Sequence, residues 1–248
     1  MLTIDKFRTD FAGYTSKWDW EIEGFIDKQN YVYPIDTDTK VISTVFERLS
    51  SPVIRSVAKS EGYKVELANQ TTYPDFTLTN KENHRIAIDV KTTYLSKTMV
   101  FTLGGYNSFI RNHTKNILYN YTTYNEHWIL GFIYEQNKVF DEYDLDSMPS
   151  RGDIPCPYSV RAVFIRKKHE ISGLRAGSGN TKNIGSVKLR SPDEFATARG
   201  PFMRFGLPKD ACDYYWSNYE QYTDRNSPSI SNERELVSHQ DFRRFNPQ

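Results

Sequence analysis

Two short segments carry charge where a strand is expected to be apolar: Tyr73-Pro74-Asp75-Phe76-Thr77-Leu78 and Ile86-Ala87-Ile88-Asp89-Val90-Lys91-Thr92-Thr93-Tyr94, whose Asp89 lies fourteen residues after Asp75. In the second, Ile86, Ile88 and Val90 alternate with Ala87, Asp89 and Lys91. Side chains two apart on a strand share a face, so Asp89 and Lys91 point the same way and the opposite face is oily. Thr79-Asn80-Lys81-Glu82-Asn83 is a polar turn, which lets the two strands pair as a hairpin with Asp75 beside Asp89. Two carboxylates and one ammonium then share a small space. That group suits phosphodiester cleavage: paired aspartates, completed by water and phosphate oxygens, meet the octahedral oxygen demand of magnesium. A lysine there can hold the attacking water and offset charge building on phosphorus. The same letters also fit a solvated, salt-bridged hairpin, because Pro-Asp and Asp-x-Lys are frequent on half-exposed strands.

A further acid lies upstream. Val41, Ile42, Val45, Phe46 and Leu49 recur at helical spacing behind Asp38, a good N-cap. Pro52 permits a break or kink, after which Val53, Ile54, Val57 and Ala58 continue the apolar face until Gly62 stops it. Glu47 sits beside that stripe, where it can aim at the aspartate pair or simply face water. Downstream, Ala176-Gly177-Ser178-Gly179-Asn180-Thr181-Lys182-Asn183 reads as a tight loop between strand-like segments Ala162 to Ile165 and Ile184 to Leu189. Its glycines admit close backbone approach to a ligand, and asparagine and threonine can meet base edges in a major groove. A Walker loop is excluded, since no Gly-Lys-Ser/Thr enters a helix. An ordinary hairpin loop is the other reading.

The rest of the chain must hold these pieces. Its 248 residues suit one large domain, and a 38% hydrophobic, 15% aromatic composition excludes disorder over most of the length. Cys156 and Cys212 have neither metal spacing nor the number for a disulfide framework, which fits a reducing compartment. No signal-like apolar core opens the chain and no run reaches the length of a membrane span, so a soluble cytoplasmic protein is expected. A net charge of +1 argues against a generic nucleic-acid coat, but its distribution is uneven. Residues 1–150 hold 16 basic and 20 acidic side chains, whereas 151–248 hold 16 and 11. Between Val160 and Arg190, Arg161, Arg166, Lys167, Lys168, Arg175, Lys182, Lys188 and Arg190 face the single acid Glu170, which makes this the expected phosphate-facing stretch.

Read together, the strings DTKVISTVFE (38–47), YPDFTL (73–78), IAIDVKTTY (86–94), FTLGGYNSFIRNHTKNI (101–117), HWILGF (127–132) and LRAGSGNTKNIGS (174–186) resemble, in order and spacing, the EcoRV-type restriction endonucleases of the PD(D/E)XK nuclease family. The similarity runs from about Tyr33 to Ser186, with a weaker echo at 215–220. The resemblance implies an α/β (α+β) fold: a mixed central β-sheet of about five strands flanked by helices, with a smaller β-rich DNA-reading part. It implies Asp75 and Asp89 as metal ligands, Glu47 as an additional metal-site acid, and Lys91 as the catalytic lysine. Gly177, Ser178, Gly179, Asn180 and Thr181 match the loop that reads bases. Gln70 and Thr71 fall in a minor-groove loop, where Thr71 and Thr72 stand in place of the family's Asn and His. Lys40, Thr92, Thr93, Tyr94, Ser108, Lys115 and Lys182 are implied phosphate contacts, and His113 replaces an asparagine in that neighbourhood.

The implied organisation is one domain over 1–248. Within it lie a dimerisation segment at 1–36, a catalytic core at 37–150, a recognition-loop region at 158–190 and a helical C-terminal region at 191–248. Trp20 to Ile26 and Tyr31 to Ile35 form an aromatic hairpin in the first of these. The implied activity is Mg2+-dependent hydrolysis of double-stranded DNA by a homodimer at a palindrome, GATATC, leaving blunt ends with 5′-phosphates. A structure-selective repair or junction-resolving nuclease of the same fold, and a DNA-binding module without chemistry, are the competing expectations.

Overall fold

Trp128 to Tyr134 is apolar at consecutive positions rather than alternate ones, the pattern of a strand covered on both faces. The structure, a computed structural model, describes residues 1–69, 71–112, 116–137, 151–177, 182–224 and 227–247. In chain order its elements are α1 (Ile4–Thr15), β1 (Gly24–Ile26), β2 (Val32–Pro34), α2 (Thr39–Ser60), β3 (Lys64–Leu67), β4 (Phe76–Thr79), β5 (Arg85–Tyr94), β6 (Thr102–Gly105), β7 (Glu126–Gln136) and β8 (Tyr158–Lys167). They continue with α3 (Lys168–Ile171), β9 (Ser172–Ala176), β10 (Asn183–Ser186), α4 (Glu194–Thr197), α5 (Pro208–Ser217), α6 (Tyr219–Tyr222) and α7 (Glu233–Ser238).

A five-stranded sheet in the order β3-β4-β5-β7-β8 forms the middle of the molecule. It is mixed, with β5 and β7 parallel and every other pair antiparallel. On one face Ile88, Leu130 and Phe132 pack against Phe46 of α2 and Phe7 of α1. On the other, Ala87, Ile129, Ile133 and Phe164 meet the smaller β6-β10-β9 sheet and the C-terminal helices through Leu103, Ile184, Phe195 and Trp216. The expected architecture, a mixed sheet with flanking helices and a smaller β-rich part, is the observed one. Its last strand, β8, comes from outside the 37–150 segment expected to hold the catalytic core.

Three local expectations change. β5 is not one-sided: Ala87 and Asp89 are buried along with Ile86, Ile88 and Val90, because the second core covers the face that carries the charges. The glycine loop is entered from β9 rather than from 162–165, which belongs to β8 of the central sheet; the strand facing it, β10, ends at Ser186 rather than Leu189. Within the helical C-terminal region, Lys209 to Tyr222, whose sequence reads as one aromatic-rich helix, is two pieces, α5 and α6, separated at Asn218.

α2 starts and stops where its caps predict, and it runs through Pro52 unbroken. The Asp38 carboxylate accepts from the backbone N–H of Lys40 at 2.7 Å and of Val41 at 3.2 Å, and Gly62 takes a φ of +73° that a side chain would resist. Proline costs one N–H donor, but Val53, Ile54, Val57 and Ala58 beyond it are buried, so packing holds the second half of the helix in line. Because α2 carries Glu47, its N-cap matters to the site. Asp38→Ala should destabilise the chain by about 1 kcal/mol, read as a lower urea midpoint with an unchanged slope.

Candidate active site

The β4–β5 register pairs Phe76 with Ile88 and Leu78 with Ile86. Asp75, immediately before β4, therefore falls against Asp89, as the sequence predicts. Three contacts hold the arrangement. The Val90 N–H donates to Asp75 Oδ2 at 2.7 Å, the Lys91 ammonium meets Asp89 Oδ2 at 2.8 Å, and Tyr73, two residues upstream, is fixed by backbone bonds to Asn116 and Leu118, both 2.9 Å. Asp89 is only 3% exposed.

These groups open into a cleft of about 510 Å³ whose wall includes Thr44, Glu47, Asn69, Thr71, Tyr73 and Phe109. Glu47 thus faces the aspartates from α2, as expected. It does not close into a ligating cluster with them: no three His, Cys, Asp or Glu side chains among the described residues form a group able to hold a metal. Lys91 also lines a second groove of about 530 Å³ with Lys40, Ser43, Thr92, Thr93, Tyr94 and Thr102. Four of the expected phosphate contacts, Lys40, Thr92, Thr93 and Tyr94, therefore share one surface that begins at Lys91.

The electrostatics are those of two acids crowded together. Burial and the neighbouring Asp89 raise the Asp75 carboxyl to about 8, against the lowering influence of Lys91 and the Val90 N–H. Burial disfavours the Lys91 ammonium, yet Asp89 and Asp75 outweigh it and hold its pKa above the ordinary lysine value. An all-oxygen carboxylate pair whose mutual repulsion leaves one member proton-hungry fits a hard divalent cation such as magnesium; water and phosphate oxygens would complete the coordination that two aspartates leave open.

Other expected residues are less concentrated. Thr71 lies on the rim of the first cleft with φ +68°, an unusual conformation for a β-branched residue. Ser108 is half-buried in the π-helical turn Asn107–Arg111 and lines neither cleft. Gly177 sits at the mouth of its loop, its N–H donating to the Asn183 carbonyl at 2.9 Å. Lys182 is exposed and ion-paired with Glu220, which also binds Arg111. Gln70, Lys115, Ser178, Gly179, Asn180 and Thr181 lie outside the described residues.

The basic stretch is largely neutralised within the protein. Arg161 pairs with Glu135, Lys167 with Glu126 at 2.8 Å, and Arg166 with Glu170 at 2.9 Å while also donating to the carbonyls of Ala196 and Ala198. Lys168 is buried. Arg175, Lys188 and Arg190 are exposed and show no ion pair among the described residues, so the free positive charge is narrower than the sequence count implies. Glu126 and Glu135 were invisible as partners because they lie on β7, next to β8 only through the sheet. Sequence reasoning also missed Tyr73 and Phe109 as walls of the cleft, although the aromatic preceding Pro-Asp was a signal for the first.

A mixed sheet that presents Asp, Asp-x-Lys from one hairpin at the end of a cleft has the arrangement of a PD(D/E)XK nuclease. The sequence profile of the family described as restriction endonuclease EcoRV matches residues 16–245, and the type II restriction enzyme EcoRV of Escherichia coli is 40% identical over 231 residues, covering 89% of this chain and 91% of that one. The chain belongs to the EcoRV family of restriction endonucleases. Among solved structures, the restriction endonuclease BglI bound to its DNA recognition sequence aligns over 79% of this chain and 82% of its own, with 12% identity and a TM-score of 0.34.

The raised Asp75 carboxyl has a measurable consequence. The folded chain keeps a proton that the unfolded chain has lost, so stability falls as pH rises from the ordinary carboxylate range through about 8. Metal-free protein denatured with urea at about pH 5 and about pH 9 should show this decline, at most about 1.4 kcal/mol per pH unit, and Asp75→Asn should flatten it. Parallel profiles for the two proteins would remove Asp75 as the proton carrier.

Proposed function

We propose that this enzyme is a type II restriction endonuclease that hydrolyses double-stranded DNA at GATATC, as a homodimer using Mg2+, and leaves blunt ends with 5′-phosphates. The observation that carries the reading is the register-locked pair Asp75 and Asp89 with Lys91 at 2.8 Å, at the junction of the two clefts. Asp75 and Asp89 would hold the magnesium, with Glu47 near enough to bias the same site. Bound magnesium supplies a more acidic water and charge stabilisation at the phosphorus. Lys91, held as an ammonium by Asp89, orients the attacking oxygen and offsets charge on the phosphoryl oxygens. Lys40, Thr92, Thr93 and Tyr94 carry the backbone past the site; Ser108, Lys115 and Lys182 add phosphate contacts further along it.

Base reading falls to Gly177, Ser178, Gly179, Asn180 and Thr181, with Gln70 and Thr71 toward the minor groove. The loop's ends are pinned: the Tyr219 hydroxyl accepts from the Ala176 N–H and the Lys182 carbonyl accepts from the Tyr106 N–H, both at 2.9 Å. A loop of this make-up has a use in sequence readout and little in shape-selective cutting. The homodimer matches the two-fold symmetry of a palindrome. Within the 1–36 segment, β1, β2 and the turn between them expose Phe25, Ile26, Tyr31 and Tyr33 beside an apolar groove of Ile22, Val41, Val45 and Leu49, which is surface for a second copy. α1 instead buries Phe7 and Phe11 in the core. No helix among the described residues is long and apolar enough to cross a membrane, and the proposed site of action is the cytoplasm.

Digestion of a plasmid of known sequence with magnesium, followed by end mapping, should place every cut within GATATC; fragments that ignore that site would sink the target assignment. Asp89→Ala should lower cleavage by several orders of magnitude while binding of the same DNA in calcium survives. Substantial cleavage by that variant would take Asp89 out of the metal site.

A further inference from the structure

Lys168, the first residue of α3, has no place in the reading above. It is 3% exposed, and its Nζ finds no hydrogen-bond acceptor among the described residues. An ammonium buried without an anion is expensive. Three aromatic faces surround it instead: the ring centroids of Tyr73, Tyr121 and Phe109 lie 5.0, 5.4 and 5.7 Å from Nζ. Such faces attract a cation most strongly where water is excluded.

Two of those rings, Tyr73 and Phe109, are also walls of the active-site cleft, so the ammonium stands directly behind them. Tyr73 is two residues from Asp75, and its hydroxyl bonds His127 Nδ1 at 2.7 Å. The third ring, Tyr121, stacks on His127 at 4.0 Å and donates to Asp213, which holds Lys209 at 2.9 Å. Burial pulls the Lys168 ammonium down to about 8; Asp89 leads the groups that oppose this, followed by Asp213, while Lys91 adds to the lowering. The field of Lys168 therefore reaches the aspartate and the lysine of the site through an interior that screens poorly. Without it, the cations among the described residues that line the cleft of Asp75, Asp89 and Glu47 are Lys91 and Arg48.

We infer that Lys168 is a positioning residue of the metal site: a buried cation that holds the Tyr73 wall by its rings and, by its charge, lowers the site's affinity for a divalent cation. The inference rests on the metal-dependent reading proposed above. Its physical content is a sign. A fixed positive charge behind the wall repels a second cation in front of it, so removing the charge without removing the bulk should tighten metal binding, whereas removing a mere packing element should loosen it.

The test is calorimetric titration of the full-length protein with Mg2+ alone, at neutral pH, beside thermal melting. Lys168→Met keeps the length and apolar stem of the side chain and removes the charge; Lys168→Gln is a second neutral variant should the first fail to fold; Lys168→Arg retains the charge. Both neutral variants are expected to bind Mg2+ roughly 3- to 10-fold more tightly than wild type, without a lower melting temperature, and Lys168→Arg to bind as wild type does. Unchanged or weaker Mg2+ binding in folded neutral variants would overturn the inference, as would failure of both to fold. Asp89→Asn separates the two readings: if it binds Mg2+ as well as wild type, the metal site itself is wrong and this inference falls with it. If Asp89→Asn loses Mg2+ while Lys168→Met is unchanged, only the role of Lys168 is lost.

Discussion

Two carboxyl groups placed side by side in a poorly solvated position are the constraint on which this molecule is organised. Asp75 and Asp89 meet because β4 and β5 pair in one register, and a slip of one residue would send Asp89 and Lys91 to the α2 face and Ile88 to theirs. The register is held by burial: Phe76, Leu78, Ile86 and Ile88 are almost wholly inaccessible on the same side. Hydrophobic packing thus keeps together two carboxylates that would otherwise separate. What relieves them locally is one backbone N–H at Asp75 and one ammonium at Asp89. The remaining unfavourable charge is the part a divalent cation can use.

Everything around the hairpin serves its placement. The parallel pairing of β5 with β7 runs nine residue pairs, from Ile86 with Glu126 to Tyr94 with Tyr134, so the strand that carries Asp89 and Lys91 is clamped along its length. It continues as Thr92, Thr93 and Tyr94 into the second groove, and one strand therefore links Asp89 and Lys91 to the surface that would carry a phosphate backbone. α2 brings Glu47 from one side, and Tyr73 and Phe109 close the other with Lys168 behind them. The smaller sheet holds both ends of the glycine loop against aromatic residues of α6 and of the segment after β6.

Local pattern made much of this legible. A polar turn between two alternating segments is enough to specify a hairpin, and Asp38 with Gly62 bounded α2 because caps act within one turn of helix. Interpretation failed where a residue's meaning depends on a distant neighbour. The buried second face of β5 requires the C-terminal half of the chain to cover it. The basic run from 160 to 190 looked like free charge because its partners, Glu126, Glu135 and Glu220, lie between about 25 and 40 positions away. β9 was overlooked because Ser172–Ala176, with its glycine, has little strand propensity and is held by pairing with β10.

By itself, then, the sequence determined the residue types of the site, the hairpin that unites Asp75 with Asp89 and Lys91, the capped helix that carries Glu47, and through its ordered strings the family. These depend on bonds and periodicities within a few residues, or on motifs read in order. Only the tertiary structure decided which charges remain available: Lys91 faces both clefts, most of the basic stretch is tied to acids on neighbouring elements, and Lys168 is sealed behind aromatic walls. Charge is additive along a chain, but its effect depends on burial and on what lies within a few ångströms across the fold.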